Sequence, residues 1–455
     1  MAPETTPKAS PPGGVAPTPA QQVALDLGRF VAASPSPFHA VAEVVRRLAL
    51  AGFDEVDEAG PWPTRPGRHV MVRGGSVVAW ATDAGRSPVD GFRVVGAHTD
   101  SPNLRVRPRP DAGAVGFRQL GVEVYGGVLL NSWLDRDLGL SGRVAVRGAD
   151  GTPELRHFVV DEPLLRVPQL AIHLDRGVNE GLKLDPQAHM VPIWGTGTPS
   201  DGDFRRFVAE QVGVDPDAVL GWDAMAHDLT PPTLLGTDRS LFAAPRLDNQ
   251  LSCHAATSAL STLVDLEASG GPVPVVCLFD HEEIGSESAT GAAGSLLPTV
   301  LERIAAAAGL DRDAWFASLA ASACLSADGA HATHPNYAGR HEPGHLVEVN
   351  GGPVLKHNAN VRYATDATGE ALVATAAERA GVTLQHFVTR GDMPCGSTIG
   401  PVTAARLGIT TVDVGVAQLS MHSARELCGA DDPAAFMALL TEFLRLGSAR
   451  VPVAR

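Results

Sequence analysis

Long apolar runs, cysteine and positive charge are all scarce in this chain. No stretch of about 18 consecutive apolar residues occurs, so no transmembrane helix is expected. There are five cysteines and no CxxC pair. That count and spacing argue against a disulfide framework and fit a reducing, cytoplasmic setting. Cys277 and Cys324 lie in apolar runs and read as core packing. Lys and Arg together number 36 against 51 Asp and Glu, a formal net charge of -15. So acidic a chain is a poor partner for nucleic acid or an anionic membrane. An acidic substrate would need a locally basic pocket to overcome that field. Residues 1–20 lack the cationic start and apolar stretch of a signal peptide, and their Pro, Ala and Thr content reads as a disordered tail. No internal repeat is found.

The chain has 455 residues and 44% hydrophobic content, which suits a globular protein of two domains. Helical periodicity runs from about Ala20 to Ala33, is broken by Ser34-Pro35-Ser36-Pro37, and resumes from about Phe38 to Ala51 before Gly52. Further helices are predicted over Asn249 to Leu266 and Thr299 to Ala308. Short apolar runs at Phe92 to Ala97, Val273 to Phe279, Ala321 to Leu325 and Thr410 to Val416 read as buried strands. Strands alternating with helices predict an α/β domain with helices on both faces of a sheet. From about 104 to 238 the pattern changes to short alternating segments, such as Val122 to Tyr125 and Arg143 to Val146. Turns such as Asp150-Gly151 and Asp201-Gly202 separate them. This stretch is expected to be a mostly β insert, leaving 21–103 and 239–455 for the α/β domain.

Polar residues follow the predicted buried strands, where open α/β sheets place their sites. They are His98, Asp100, Glu282, Glu283, Asp328 and His422, joined by Asp248 at the start of a helix. Two His and several carboxylates suit zinc, manganese or cobalt. So many carboxylates suggest two ions sharing one of them. His98 would bind through one ring nitrogen while Asp100 fixes the other. Glu282-Glu283, taken as adjacent residues at a strand end, offers one ligand and one free base. Each residue also has an ordinary reading. His98-x-Asp100 could be a structural pair, Glu282-Glu283 a solvated turn, Asp248 an N-cap, Asp328-Gly329 a turn and His422 a satisfied histidine. His281-Glu282-Glu283 is not H-E-x-x-H, because position 285 is Gly, so a helical zincin site is excluded.

Longer motifs then become legible. They are V-G-A-H-T-D-S-P at 95–102, G-G-V-L-L-N-S-W-L-D-R-D-L at 126–138, A-I-H-L-D-R at 171–176 and R-L-D-N-Q at 246–250. D-H-E-E-I-G-S at 280–286, S-A-D-G-A-H-A-T-H-P-N-Y at 326–337, R-G-D-M-P-C-G-S-T-I-G-P at 390–401 and S-M-H-S-A-R-E at 420–426 complete the set. In this order the chain resembles the aspartyl aminopeptidase family over nearly its whole length. The resemblance implies two zinc ions in the α/β peptidase domain. His98, Asp248 and Asp328 would hold the first; Asp248, Glu283 and His422 the second. Glu282 would be the general base and Asp100 the orienting carboxylate. The implied reaction removes N-terminal Asp or Glu from short peptides, with His173, His331 and Lys356 contacting substrate. The β insert would be a dimerisation domain whose His173 reaches a neighbour's site, and dimers would build a tetrahedral dodecamer. Lys356 could equally be an exposed turn lysine, and Ile172-His173-Leu174 an ordinary strand.

Three further readings compete. The same chemistry could prefer neutral N-terminal residues. A related metal-dependent deacylase or carboxypeptidase would need a different clamp for the substrate end. An inert scaffold would have lost ligands, whereas all the expected ligands and the base are present here.

Overall fold

The computed structural model describes residues 16–265, 270–447 and 449. Most of the expected tail over 1–20 therefore lies outside the described residues. Its last residues are not tail, because a helix begins at Pro19 (Pro19–Ala33). Thr18 starts it: its hydroxyl accepts the Gln21 amide, and the Gln21 side chain accepts the Thr18 amide, satisfying two otherwise orphan donors. Ser34 ends that helix, and Pro37 opens the next (Pro37–Leu50).

A nine-stranded mixed sheet organises the α/β layer. Its order is Asp54–Glu55, Arg68–Arg73, Ser76–Ala81, Val273–Phe279, Phe92–His98, Ala323–Ala327, Thr410–Gly415, Val354–His357 and Gln385–Val388. Its four central strands, from Val273–Phe279 to Thr410–Gly415, run parallel, so their carboxyl ends share one edge. They are buried on both faces, as their unbroken apolar runs predict. Strand alternation splits their side chains between two cores. Val95, Ala97, Val276, Leu278, Leu325 and Val412 pack with residues of helices Pro19–Ala33, Pro37–Leu50, Leu247–Asp265, Ala367–Ala380 and Asp432–Leu444. Val94, Val275, Cys277 and Cys324 pack with Leu296–Ala307, Arg312–Ala320 and Ile399–Leu407 on the other face. Each fully buried Val or Leu is worth about 1.5–3 kcal/mol.

Between Asn103 and Asp228 the chain builds a second, six-stranded antiparallel sheet. Its order is Pro153–Leu165, Leu138–Arg147, Val219–Asp228, Asn103–Ala114, Phe117–Tyr125 and Ile193–Thr196. It has its own core of Leu104, Leu138, Leu140, Val144 and Phe204 among others. A five-stranded sheet has the order Thr233–Leu235, Leu241–Ala244, Glu426–Gly429, Ala417–Leu419 and Ala330–His331, and its last strand begins two residues beyond Asp328 at the carboxyl edge of the large sheet.

Candidate metal centre

His98 is the last residue of its strand, and Asp328 directly follows Ala323–Ala327. The strand Val273–Phe279 lies in register with Phe92–His98, pairing Phe279 with His98. The acidic pair beyond it is therefore delivered to the same edge. Glu282 and Glu283 do not alternate on a strand end, however. They sit in a one-turn 3-10 helix, Glu282–Ile284, entered through His281 at φ 67°, which sharply reverses the chain. His422, also at φ 67°, lies in the turn joining Ala417–Leu419 to Glu426–Gly429. Asp248 lies at a kink near the start of Leu247–Asp265, with φ -81° and ψ 103°.

That conformation sends the Asp248 carboxylate between two imidazoles rather than onto the helix end. Its Oδ1 is 3.3 Å from His98 Nε2, and its Oδ2 is 3.6 Å from His422 Nε2. Asp328 Oδ1 is 3.3 Å and Glu282 Oε2 3.9 Å from His98 Nε2. Glu283 Oε2 is 3.3 Å from His422 Nε2. One ligand atom each from His98, Asp248 and Glu283 lies within 4.8 Å of the others.

Asp100 is tied into the group from behind. The His98 Nδ1 is 3.0 Å from the Asp100 backbone carbonyl and 3.4 Å from its carboxylate. The carboxylate also accepts the amides of Glu282 and Glu283, both at 3.1 Å, and the Tyr125 hydroxyl at 2.7 Å. Glu426 does similar work on the opposite side, accepting the amides of Asp248 (2.8 Å) and His422 (2.6 Å). Sequence reasoning assigned no role to Tyr125 or Glu426. Glu426 closes a matched motif, but nothing in the local pattern marks it as buried.

Charge is heavily unbalanced here. The carboxylates of Asp100, Asp248, Glu282, Glu283, Asp328 and Glu426 crowd around His98, His422 and Lys356. Burial pushes Glu282 up to about 8, helped by Asp328, Asp100 and Asp248 against the opposing His98. Burial, reinforced by Asp248, raises Glu283 well above the carboxylate range. Burial would also raise Asp248, but the contacts with His422 and His98 outweigh it and hold its carboxyl well below the ordinary value. His422 is raised to about 10, since Asp248 and Glu283 overcome its burial. Two buried oxygens, Asp248 Oδ1 and Glu283 Oε1, have no hydrogen-bond partner. Orphaned oxygens, facing imidazoles and surplus buried negative charge fit a divalent-cation centre. His, Asp and Glu are also the donors zinc accepts.

An open cleft of about 1320 Å³ faces this group and is lined by Asp248, Glu282, Glu283, Asp328 and His422. Its other walls bring in His331, Lys356, Arg362 and Tyr363. Lys356 is buried on the strand Val354–His357, so it is no exposed turn lysine. Its Nζ donates to Asp328 Oδ2 at 3.1 Å and to the Gly329 carbonyl at 3.0 Å. His331 opens onto the cleft beside Phe387. His173 is not brought there: it lies exposed in a turn of the stretch between Leu165 and Ile193, which holds no strand or helix.

The profile of the family described as aminopeptidase I zinc metalloprotease (M18) matches residues 30–444. The chain is 54% identical over 422 residues to the probable M18 family aminopeptidase 2 of Streptomyces coelicolor, covering 92% of this chain and 97% of that protein. The protein of the same description from Mycobacterium tuberculosis is 54% identical over 423 residues, with the same coverage. Among solved structures, a chain of the cryo-EM structure of the Ape4 and Nbr1 complex aligns with a TM-score of 0.89 at 37% identity, over 94% of this chain and 86% of that one. A chain of the S. cerevesiae mApe1 dodecamer aligns with a TM-score of 0.81 at 30% identity, over 93% and 96%. With a family match spanning most of its length and its acidic, histidine-bearing cleft at the sheet edge, this chain belongs to the M18 aminopeptidases, a family of zinc metalloproteases.

Proposed function

We propose that the chain is a two-zinc aminopeptidase that removes N-terminal Asp or Glu from short peptides. The observation that carries this reading is the Asp248 carboxylate, which offers one oxygen toward each of two histidines. Each side has its own further carboxylate: Asp328 beside His98, and Glu283 beside His422. His98, Asp248 and Asp328 would hold one ion, and Asp248, Glu283 and His422 the other. When bound, the ions supply Lewis-acid polarisation and make water a usable nucleophile near neutral pH.

The remaining chemistry belongs to the chain. Glu282 faces the cleft without a place in either ligand set. Its carboxylate would take a proton from the attacking water and pass it to the leaving amine. Asp100 positions it by holding the amides of Glu282 and Glu283 together. Lys356, Arg362 and His331 line the same cleft as the acidic group and bring positive or proton-donating groups to it, which favours an acidic first side chain. Exposed Leu170, Ile172 and Leu174 surround His173. Such apolar exposure supports a subunit contact through the 104–238 insert, with His173 completing a neighbour's cleft. A dodecamer, the assembly of the similar mApe1, is what we infer for this chain, here built from dimers.

Metal analysis of purified protein, paired with release assays on Asp-, Glu- and Leu-anilides and N-acyl amino acids, tests this reading. Two ions per chain and release mainly from the Asp- and Glu-anilides are expected. Preference for the Leu-anilide would overturn the acidic specificity, and turnover of only the acylated compounds would overturn the exopeptidase reaction.

A further inference from the structure

Lys356 and His357 are neighbours on one strand, so their side chains leave opposite faces of the sheet. Lys356 turns to the cleft. His357 turns away from it. In the parallel pairing of Val354–His357 with Gln385–Val388, Leu355 lies beside His386. Residues 355, 357 and 386 therefore share the face turned away from the cleft. Glu370, in the first turn of helix Ala367–Ala380, meets them there.

The resulting geometry is that of a ligand set. His357 Nε2 and His386 Nδ1 are 3.2 Å apart, and the rings stack at 5.4 Å with an 18° interplanar angle. Two nitrogens on one tetrahedral zinc, each about 2.0–2.1 Å from it, stand about 3.3 Å from each other. One donor atom from each of His357, Glu370 and His386 lies within 4.8 Å of the other two. Among the described residues, the Glu370 carboxylate makes no hydrogen bond. His357 and Glu370 are half-buried while His386 is exposed, which leaves an entry path and room for a water. Burial holds His357 below its usual pKa, and the neutral imidazole is the form that ligates.

We propose that His357, Glu370 and His386 bind one further divalent cation of the zinc class, apart from the cleft. Gln385–Val388 is the last strand of the nine-stranded sheet. An ion there joins the two outermost strands to helix Ala367–Ala380. It lies directly behind the strand that carries Lys356. The rival reading is a plain N–H···N hydrogen bond between the two rings.

Zn2+ decides between them. Holoenzyme is equilibrated with micromolar Zn2+, freed of excess by gel filtration, and its metal counted by mass spectrometry. The same is done for His357→Ala, His386→Ala and Glu370→Gln. Wild type is expected to retain one more zinc per chain than either histidine variant, with Glu370→Gln binding it more weakly in calorimetry. Anilide turnover unchanged in all three variants establishes that they are folded. Because the readout is a difference between chains, it does not depend on how many ions the cleft holds. Zn2+ is also expected to raise the Tm of wild type by more than that of the histidine variants. Equal zinc content and equal Tm response in wild type and the histidine variants would overturn the proposal.

Discussion

Glu426 Oε2 accepts the backbone N–H of Asp248 at 2.8 Å. Its other oxygen accepts the His422 amide at 2.6 Å. One buried carboxylate thus fixes the main chain of two proposed ligands without facing the cleft itself. Burial beside Asp248 pushes it up to about 8. Glu426→Gln keeps the shape but turns an NH2 toward one of the two amides. Partners of ligands typically contribute 10–100-fold to metal affinity. We expect zinc affinity to fall by about that factor, with much of the turnover restored by added Zn2+. Lower turnover at unchanged metal affinity would contradict this positioning role.

The two acidic roles separate by substitution. Glu282→Gln should retain metal and lose about 10²–10⁴-fold in turnover, the usual contribution of a positioned base. Asp248→Asn should lose metal as well, because one of its two oxygens, each of which faces a different histidine, becomes an amide NH2. Metal analysis alongside kinetics reads both. A fully active Glu282→Gln would remove Glu282 from the mechanism. Normal metal content in Asp248→Asn would remove the bridge.

Sequence patterning was informative where burial repeats. The central strands were legible as apolar runs, and their register places His98, the Glu282–Glu283 turn and Asp328 together. It was weaker where side-chain direction depends on single backbone angles. Asp248 reads equally well as an N-cap until its non-helical φ/ψ is known. Glu282 and Glu283 looked like strand residues but form a 3-10 turn set by His281 in the left-handed region. The burial of Lys356 was not legible because Val354–His357 is a four-residue strand, too short for a periodic signal. Glu426 and Tyr125 act through backbone amides and a neighbour's carboxylate, and no spacing rule marks such roles.

Lys356 offers a test of substrate choice. It is buried, paired to Asp328, and lines the cleft. Lys356→Met removes the cation, so the ratio of Asp- to Leu-anilide kcat/KM should fall by roughly 10-fold or more, a loss of about 1.4 kcal/mol or more. Lys356→Arg should retain part of that ratio. An unchanged ratio in the Met variant would exclude Lys356 from recognition of the acidic side chain, even if overall activity dropped through Asp328.

Acid should loosen the contact between the large sheet's helices and the six-stranded sheet. His39, on helix Pro37–Leu50, meets His157 of strand Pro153–Leu165 with ring centroids 5.3 Å apart and the planes tilted by 47°. His227 of Val219–Asp228 is buried nearby and contacts Asp161 at 3.0 Å. Burial lowers His39 to about 4, aided by His157, His227 and Arg246 and opposed by Asp161. Burial also lowers His157 and His227. Above about pH 6.5, the ordinary histidine value, these imidazoles are neutral whether folded or unfolded, and they add no pH dependence. Below it the unfolded chain takes up protons that the folded chain refuses, so stability falls as pH drops toward 4. His39→Gln removes one such group. Its Tm should therefore fall less steeply than that of wild type between pH 6.5 and 4.5, measured by calorimetry away from any substrate. Parallel Tm slopes for the two proteins would show that His39 titrates alike in both states.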